Sequence, residues 1–185
     1  MTLTFKVILF VAASIGIGWV SRSSLRDLRS HSFYRFFAWE AILALVLLNL
    51  DYWFYAPFSP HQMVAWTLLT VSLILVIHGV HLLRMVGKPD GERDDASLLG
   101  VEKTTELVTV GAYGYIRHPL YSSLLFLAWG VFFKHPAWVG VALALLATAF
   151  LTITAKIEEA ENRRFFGPEY QTYMKRTKMF VPFLF

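Results

Sequence analysis

The sequence predicts an all-α integral membrane protein with about five transmembrane or membrane-embedded helices. Two observations predict this fold class. Hydrophobic residues make up 56% of the 185 residues and charged residues only 16%, a balance that does not suit a soluble globular domain. Apolar runs also recur along the chain, and those of about twenty residues can cross roughly 30 Å of hydrocarbon as a helix.

Apolar runs in the first half of the chain have the length of a membrane span. They are Leu3–Val20, Phe36–Tyr55 and Met63–Leu83. The first begins without the basic region of a secretory signal and ends at Trp19 and Val20 instead of a small-residue cleavage site. We therefore interpret it as a retained span.

Two further apolar segments, Pro119–Phe133 and Ala137–Ile157, form a tight hairpin around Lys134–Pro136. The first of them reaches only about 22 Å at a rise of 1.5 Å per residue. It is therefore predicted to tilt or to cross incompletely. We expect this hairpin to leave a notch within the membrane.

Lysine and arginine are distributed unevenly between the two sides of the predicted membrane. Only Lys6 and Lys134 fall on one side. The positive-inside rule then predicts an outside amino terminus and a cytoplasmic carboxy terminus. The net charge of +4 follows from this topology and gives no indication of nucleic-acid binding. The other side carries Arg22, Arg26, Arg29 and Arg35 after the first span, Arg84, Lys88, Arg93, Lys103 and Arg117 after the third, and Lys156, Arg163, Arg164, Lys175, Arg176 and Lys178 in the tail.

The whole chain, residues 1–185, is predicted to be one domain. The polar stretch Val86–Gly114 is interpreted as a cytoplasmic loop, in which Thr104–Val110 is expected to be briefly extended. The predicted segments are the three spans in residues 1–85, a cytoplasmic loop in 86–118, the hairpin in 119–157 and a cytoplasmic carboxy-terminal segment in 158–185.

The tail contains a second helix signal. Gly167 followed by Pro168 indicates the end of one helix and the start of another. Tyr170, Tyr173 and Met174 lie three and four residues apart and give the new helix an apolar stripe. We expect this stripe to lie against the membrane surface.

The stretch from Gly111 to Tyr121 brings a loop rich in glycine and aromatic residues to a membrane helix. Pro119 suits the first helical turn, where its missing N–H has no intrahelical partner. The helix amino terminus is an anion site, and Arg117 beside it adds a bidentate partner for a carboxylate or phosphate. The alternative is that Arg117 and His118 only anchor the helix among lipid headgroups.

A pair of carboxylates follows the hairpin. Glu158 and Glu159 lie within a turn of the predicted membrane edge, where an unpaired carboxylate is costly. One of them could face a bound cation. The alternative is a solvated helix end in which Glu159 pairs with Arg163, four residues on.

Other polar residues indicate rival sites. Glu40 lies about one turn inside the second span on the cytoplasmic side, where it either lines an acceptor pocket or pairs with an arginine of the first loop. His78 and His81, spaced i and i+3, could ligate haem or a non-haem metal. No cysteine is present, which excludes disulfides, thiolate metal sites and a cysteine nucleophile.

Taken together, the stretch from Gly111 to Tyr121 and the stretch around Glu158 and Glu159 resemble the membrane methyltransferases of the isoprenylcysteine carboxyl methyltransferase and phospholipid N-methyltransferase superfamily. The resemblance covers about Leu107 to Phe185. This chain departs from the family where Gly111–Gly114 replaces a common Gly-Pro-Tyr-Arg, and where Asn162 stands in place of leucine. The matching residues are Arg117-His118-Pro119-Leu120-Tyr121, Gly130, Glu158-Glu159, Phe166-Gly167, Tyr170, Tyr173 and Pro182.

The resemblance implies an S-adenosyl-L-methionine site at the cytoplasmic mouth of the hairpin, roofed by the carboxy-terminal segment, with a lipophilic acceptor entering from the bilayer. It implies no metal. Acceptors that fit are a prenylcysteine carboxylate, a phospholipid amine, or a small lipophilic thiol or amine. The implied cofactor residues are Tyr113, Tyr115, Arg117, His118, Pro119, Tyr121, Glu158 and Glu159, with Glu159, Arg163 and Arg164 as catalytic or acceptor-orienting candidates.

Overall fold

A computed structural model describes residues 1–22, 25, 27–28, 30–88 and 104–184. The charges assigned above to Arg26, Arg29, Arg93 and Lys103, and residues 89–103 of the predicted loop, lie outside the described residues. The helices are α1 (Leu3–Val20), α2 (His31–Asn49), α3 (Pro60–Met85), α4 (Pro119–Phe132), α5 (Trp138–Phe166) and α6 (Pro168–Arg176), with short 3-10 turns at Leu50–Tyr52 and Gly111–Gly114.

The described part of the chain is helical, as predicted, and has no strand beyond an isolated bridge between Ile116 and Lys178. Four helices, α1, α2, α3 and α5, are long and apolar enough to cross a membrane, whereas α4 has only 14 residues. The protein is therefore an all-α integral membrane protein. The predicted extended stretch, residues 104–110, forms no strand and turns at 105–106.

Several helix boundaries differ from the predicted spans: α2 ends at Asn49, before the predicted Tyr55, and α3 runs from Pro60 to Met85. α2 begins at His31, before the predicted Phe36, because the Ser30 side chain caps the helix by accepting from the Phe33 N–H at 3.3 Å. α5 continues past Ile157, the end of the predicted membrane segment, towards the helix end predicted at Gly167, and the charged residues of this extension are good helix formers. It stops at Gly167, whose φ of +61° lies in the left-handed region that favours glycine.

Close packing of α3 against α4 explains a glycine of the sequence motif. A Cβ on Gly130 would lie 3.0 Å from Leu69, and one on Gly79 would lie 2.9 Å from Leu120. At Gly79 the close atom is the end of a flexible side chain that can move, whereas at Gly130 the Leu69 backbone nitrogen also lies within 3.2 Å, so a side chain there would force a shift between the helices. α2 packs along α5 around buried Leu45, whereas α1 touches mainly α2 and buries none of its own residues.

Lys6 and Lys134 lie together at one end of the bundle, where α1 and α3 begin and α2 and α4 end. Lys6 pairs with Asp51 at 2.8 Å. The Lys134 ammonium donates to Gln62 Oε1 at 3.0 Å and lies 3.1 Å from the ring centroid of Trp66. The stretch from Gly111 to Tyr121 and the Glu158–Glu159 pair gather at the opposite end.

Candidate functional site

The loop before α4 is joined to the carboxy-terminal segment by backbone hydrogen bonds. The Arg117 N–H donates to the Lys178 carbonyl at 2.8 Å, and the His118 N–H donates to the Met179 carbonyl at 3.2 Å. The Ser122 hydroxyl on the first turn of α4 adds a bond to the Phe180 carbonyl at 2.8 Å. Residues 178–180 are therefore part of the site's framework.

Arg117 and Glu159 form a buried ion pair. Arg117 Nε donates to Glu159 Oε1 at 2.5 Å, and the two side chains are 10% and 7% exposed. Arg117 Nη1 also donates to the Thr177 carbonyl. The guanidinium thus links α5, the loop before α4 and the carboxy-terminal segment. The sequence alone did not predict this link.

Glu158 points to a different set of partners. Its Oε2 accepts from the Tyr121 hydroxyl, and its Oε1 lies 3.9 Å from His118 Nδ1. The His118 ring stacks on Tyr121 at a centroid distance of 5.4 Å. His118 Nε2 is buried 3.4 Å from Glu159 Oε1 but forms no aligned hydrogen bond. An unsatisfied buried polar atom of this kind is a candidate contact for a ligand.

These side chains border a cavity at the amino-terminal end of α4. Its empty volume, which includes the open mouth and the solvent there, is about 620 Å³. One part of the wall is polar and another is aliphatic. The lining residues are Leu83, Thr104, Leu107, Val108, Tyr113, Arg117, His118, Leu120, Tyr121, Glu158, Asn162, Phe166, Tyr170 and Tyr173.

The apolar stripe of α6 faces this cavity. We expected it on the membrane surface, but Tyr170 and Tyr173 are 2% and 3% exposed within the protein. The Tyr173 hydroxyl donates to the Tyr113 carbonyl at 2.7 Å, and Tyr170 is hydrogen-bonded to Asn162. Burial raises the pKa of both tyrosine hydroxyls above its usual value, so both stay neutral at physiological pH.

The Gly111–Gly114 turn carries Tyr113 into the cavity wall and rests on α3. His78 Nε2 accepts from the Ala112 N–H at 3.4 Å. The His78 nitrogen that could ligate a haem or metal ion is therefore already used to support this turn. Among the described residues, no group of three or more histidine, aspartate or glutamate side chains could hold a metal ion.

Gly111→Ala tests the support of this turn. Gly111 has φ +58°, and an added Cβ would lie 2.6 Å from His78 Nε2. A left-handed non-glycine residue costs roughly 1–3 kcal/mol, so we expect a lower melting temperature in detergent. Gly114→Ala is the control, since its Cβ would meet only the Thr109 carbonyl at 3.3 Å and no positive φ is involved. Equal melting of the two variants would contradict the strain at Gly111.

Several predicted site residues do not line the cavity, among them Pro119 and Glu159. Tyr115 is 61% exposed. Arg163 and Arg164 are exposed on α5, and Arg163 Nε donates to its own helix at the Glu159 carbonyl, 3.3 Å away. Glu40 lies between α2 and α1, where its Oε2 accepts from the Ser14 hydroxyl at 2.6 Å and its Oε1 is buried without a hydrogen bond.

The sequence interpretation also missed residues that line the cavity. Asn162, noted only as a departure from the family, follows Glu158 by one helical turn and shares its face. That spacing was a usable signal. No sequence signal marked Leu107 and Val108 as lining residues, because two apolar residues in a loop show no periodicity that predicts which way their side chains face.

Comparisons with known proteins identify the family of the chain. A family model described as phospholipid methyltransferase matches residues 60–169. A probable protein-S-isoprenylcysteine O-methyltransferase of Oryza sativa subsp. japonica is 29% identical over 149 residues, 78% of this chain and 77% of the relative. Protein-S-isoprenylcysteine O-methyltransferase B of Arabidopsis thaliana is 30% identical over 146 residues, 77% of this chain and 73% of the relative.

A third relative, the protein-S-isoprenylcysteine O-methyltransferase of Rattus norvegicus, is 32% identical over 127 residues, 66% of this chain and 44% of that longer protein. No solved structure matches the chain. The family match spans more than half of the sequence and includes Arg117, His118 and both carboxylates of the Glu pair. The chain therefore belongs to the phospholipid methyltransferase family, in the superfamily that includes the isoprenylcysteine carboxyl methyltransferases.

Proposed function

We propose that this protein is an S-adenosyl-L-methionine-dependent methyltransferase that methylates a carboxylate on a lipophilic acceptor. The observation that carries the proposal is the cavity at the amino-terminal end of α4, where Glu158, neutral tyrosines and Arg117 border an aliphatic wall. The carboxylate acceptor is favoured because the relatives named above are protein-S-isoprenylcysteine O-methyltransferases.

The donor set of the cavity fits the cofactor. Glu158 supplies a negative charge and Tyr113, Tyr170 and Tyr173 supply aromatic surfaces, the two features that hold a sulfonium and an adenine. His118 Nε2 adds a buried, unsatisfied nitrogen that can bond the ligand. When bound, the cofactor supplies an electrophilic methyl group.

The residues of the chain align and desolvate the reactants. Methyl transfer from a sulfonium is an in-line displacement that depends on orientation more than on a strong acid or base. Glu158, with its side chain only 18% exposed, is a fixed counter-charge in a site with little water. Arg117 is already paired with Glu159, so we assign this pair to holding the loop and α5 in register, and Glu158 to contacting the cofactor.

The acceptor side of the cavity is aliphatic. Leu83, Leu107, Val108 and Leu120 face the same space as the polar residues, which suits a lipophilic chain that approaches from the bilayer. Arg163 and Arg164 lie outside the cavity on the exposed face of α5. We propose that they contact anionic headgroups or guide an anionic acceptor to the mouth.

We propose that the cavity opens on the cytoplasmic side. It lies at the end of the bundle opposite Lys6 and Lys134, and the positive-inside rule assigns that end to the cytoplasm. Reporter fusions at both ends test this orientation. We expect an outside reporter signal before Met1 and a cytoplasmic signal after the tail, and the reverse pattern would overturn it.

Calorimetry on the detergent-solubilised protein tests cofactor binding. We expect S-adenosyl-L-methionine and its demethylated product to bind at one site per chain, with the same affinity after treatment with a chelator. Absence of binding by a protein that melts cooperatively would contradict the proposal. Copurification of stoichiometric iron or haem with no cofactor binding would instead support the site at His78 and His81.

A further inference from the structure

The first turn of α2 buries a set of polar side chains that no motif predicted. His31, Ser32 and Arg35 are 0%, 2% and 4% exposed. They stand at the cavity end of the bundle, where polar side chains could instead have remained in water. Charged residues are almost never buried to this extent unless they are paired.

These side chains form a continuous chain of contacts to α5. Glu161 Oε2 lies 2.7 Å from His31 Nδ1. The other ring nitrogen of His31 lies 3.2 Å from the Ser32 hydroxyl, to which Arg35 Nη2 donates at 3.0 Å. The Arg35 guanidinium also lies 5.2 Å from the ring centroid of Trp39. Each member is thereby held in one place.

The chain of contacts reaches the cofactor cavity through Glu158. Glu158 and Glu161 are three residues apart on α5 and so lie on neighbouring parts of one helix face. α2 and α5 pack against each other in opposite directions, so the pairing of His31 with Glu161 brings Arg35, one turn further along α2, to the level of Glu158. Neither His31 nor Arg35 lines the cavity, so both lie on the side of Glu158 that faces away from it. Tyr121 and His118 contact Glu158 directly.

We propose that Arg35 and His31 are positioning residues that hold the Glu158 carboxylate in place at the cavity, with Glu161 fixing His31. The proposal rests on the proposed function, because it assigns Glu158 to the cofactor. It gives α2 a role in cofactor binding although α2 contributes no residue to the cavity wall.

A mutant cycle between Arg35 and Glu158 tests this assignment, with S-adenosylhomocysteine affinity measured by calorimetry. We expect Arg35→Gln to weaken binding about tenfold in the wild-type background, and by less than about twofold in the Glu158→Gln background. Arg35→Lys keeps the charge and should retain most of the affinity. A merely structural role would instead give additive losses and no rescue by lysine.

Glu161→Gln offers a gentler second variant, since its side chain is 27% exposed and the change is nearly isosteric. We expect a loss of a few fold that also vanishes in the Glu158→Gln background. Lys156→Gln, an exposed change on α5, is the control and should match the wild type. Melting temperatures identify any variant that fails to fold.

The outcomes separate the two proposals. If the wild type does not bind the cofactor, the proposed function fails and this inference fails with it. If the wild type binds and the Arg35 and Glu161 losses add to that of Glu158→Gln, only the positioning role is overturned. Non-additive losses with rescue by Arg35→Lys support both.

Discussion

Glu158→Gln should weaken S-adenosyl-L-methionine binding by about ten- to a hundredfold, because removing a charge-assisted contact in a partly dry site costs roughly 1.5–3 kcal/mol. The glutamine amide can still bond the Tyr121 hydroxyl, which now donates to Glu158 Oε2. The fold should therefore survive, and the loss should appear in calorimetric affinity with little change in melting temperature.

The control for this experiment is Glu169→Gln, an exposed carboxylate in the first turn of α6. Glu161 does not serve as a silent control, because its carboxylate lies 2.7 Å from buried His31. Wild-type affinity in a folded Glu158→Gln variant would remove Glu158 from the cofactor site and would leave the cavity without its assigned counter-charge.

Glu159→Gln should act mainly on stability. It would leave the Arg117 guanidinium buried without its carboxylate, and breaking a buried ion pair from one side costs roughly 3–5 kcal/mol. We expect a large drop in melting temperature. Cofactor binding should be lost as well, because Arg117 also holds the Thr177 carbonyl of the carboxy-terminal segment.

The double variant Arg117→Met with Glu159→Met distinguishes this role from a cofactor contact. The double variant leaves no unpaired charge buried, because the Arg117 guanidinium is removed together with its carboxylate. It should therefore melt well above Glu159→Gln alone. A double variant that melts below Arg117→Met alone and below Glu159→Met alone would contradict the assignment of these residues to a structural ion pair. Unchanged melting in Glu159→Gln, with weaker cofactor binding, would place Glu159 in the cavity instead.

The sequence predicted the helices and the two stretches that meet, but not which way each side chain faces. Apolar length predicted α1 and the hairpin, and the Arg-His-Pro and Glu-Glu motifs meet at one end of the bundle. Adjacent residues on a helix differ by about 100° in direction, so Glu158 and Glu159 acquire different partners. Only the rotation of α5 within the bundle decides this, and that depends on packing against α2 and α4.

The buried polar contacts of α2 could also not be predicted from the sequence. Arg35 was counted only among the positive charges of one side and His31 was not singled out, since a basic loop before a span has the same composition whether it is solvated or buried. Their burial depends on Glu161, which lies 130 residues from His31 in the chain. Such long-range pairs leave no local pattern.

Membranes that contain the protein, incubated with methyl-labelled S-adenosyl-L-methionine and then extracted with organic solvent, give the most direct test of the central claim. A methyl ester on a lipophilic acceptor should carry label into the organic phase and release it as methanol in mild alkali, and Glu158→Gln should strongly reduce the signal at a cofactor concentration that does not saturate the wild type. Label that resists alkali would identify an amine as the acceptor. No label above membranes lacking the protein, from a preparation that binds S-adenosylhomocysteine, would contradict methyl transfer itself.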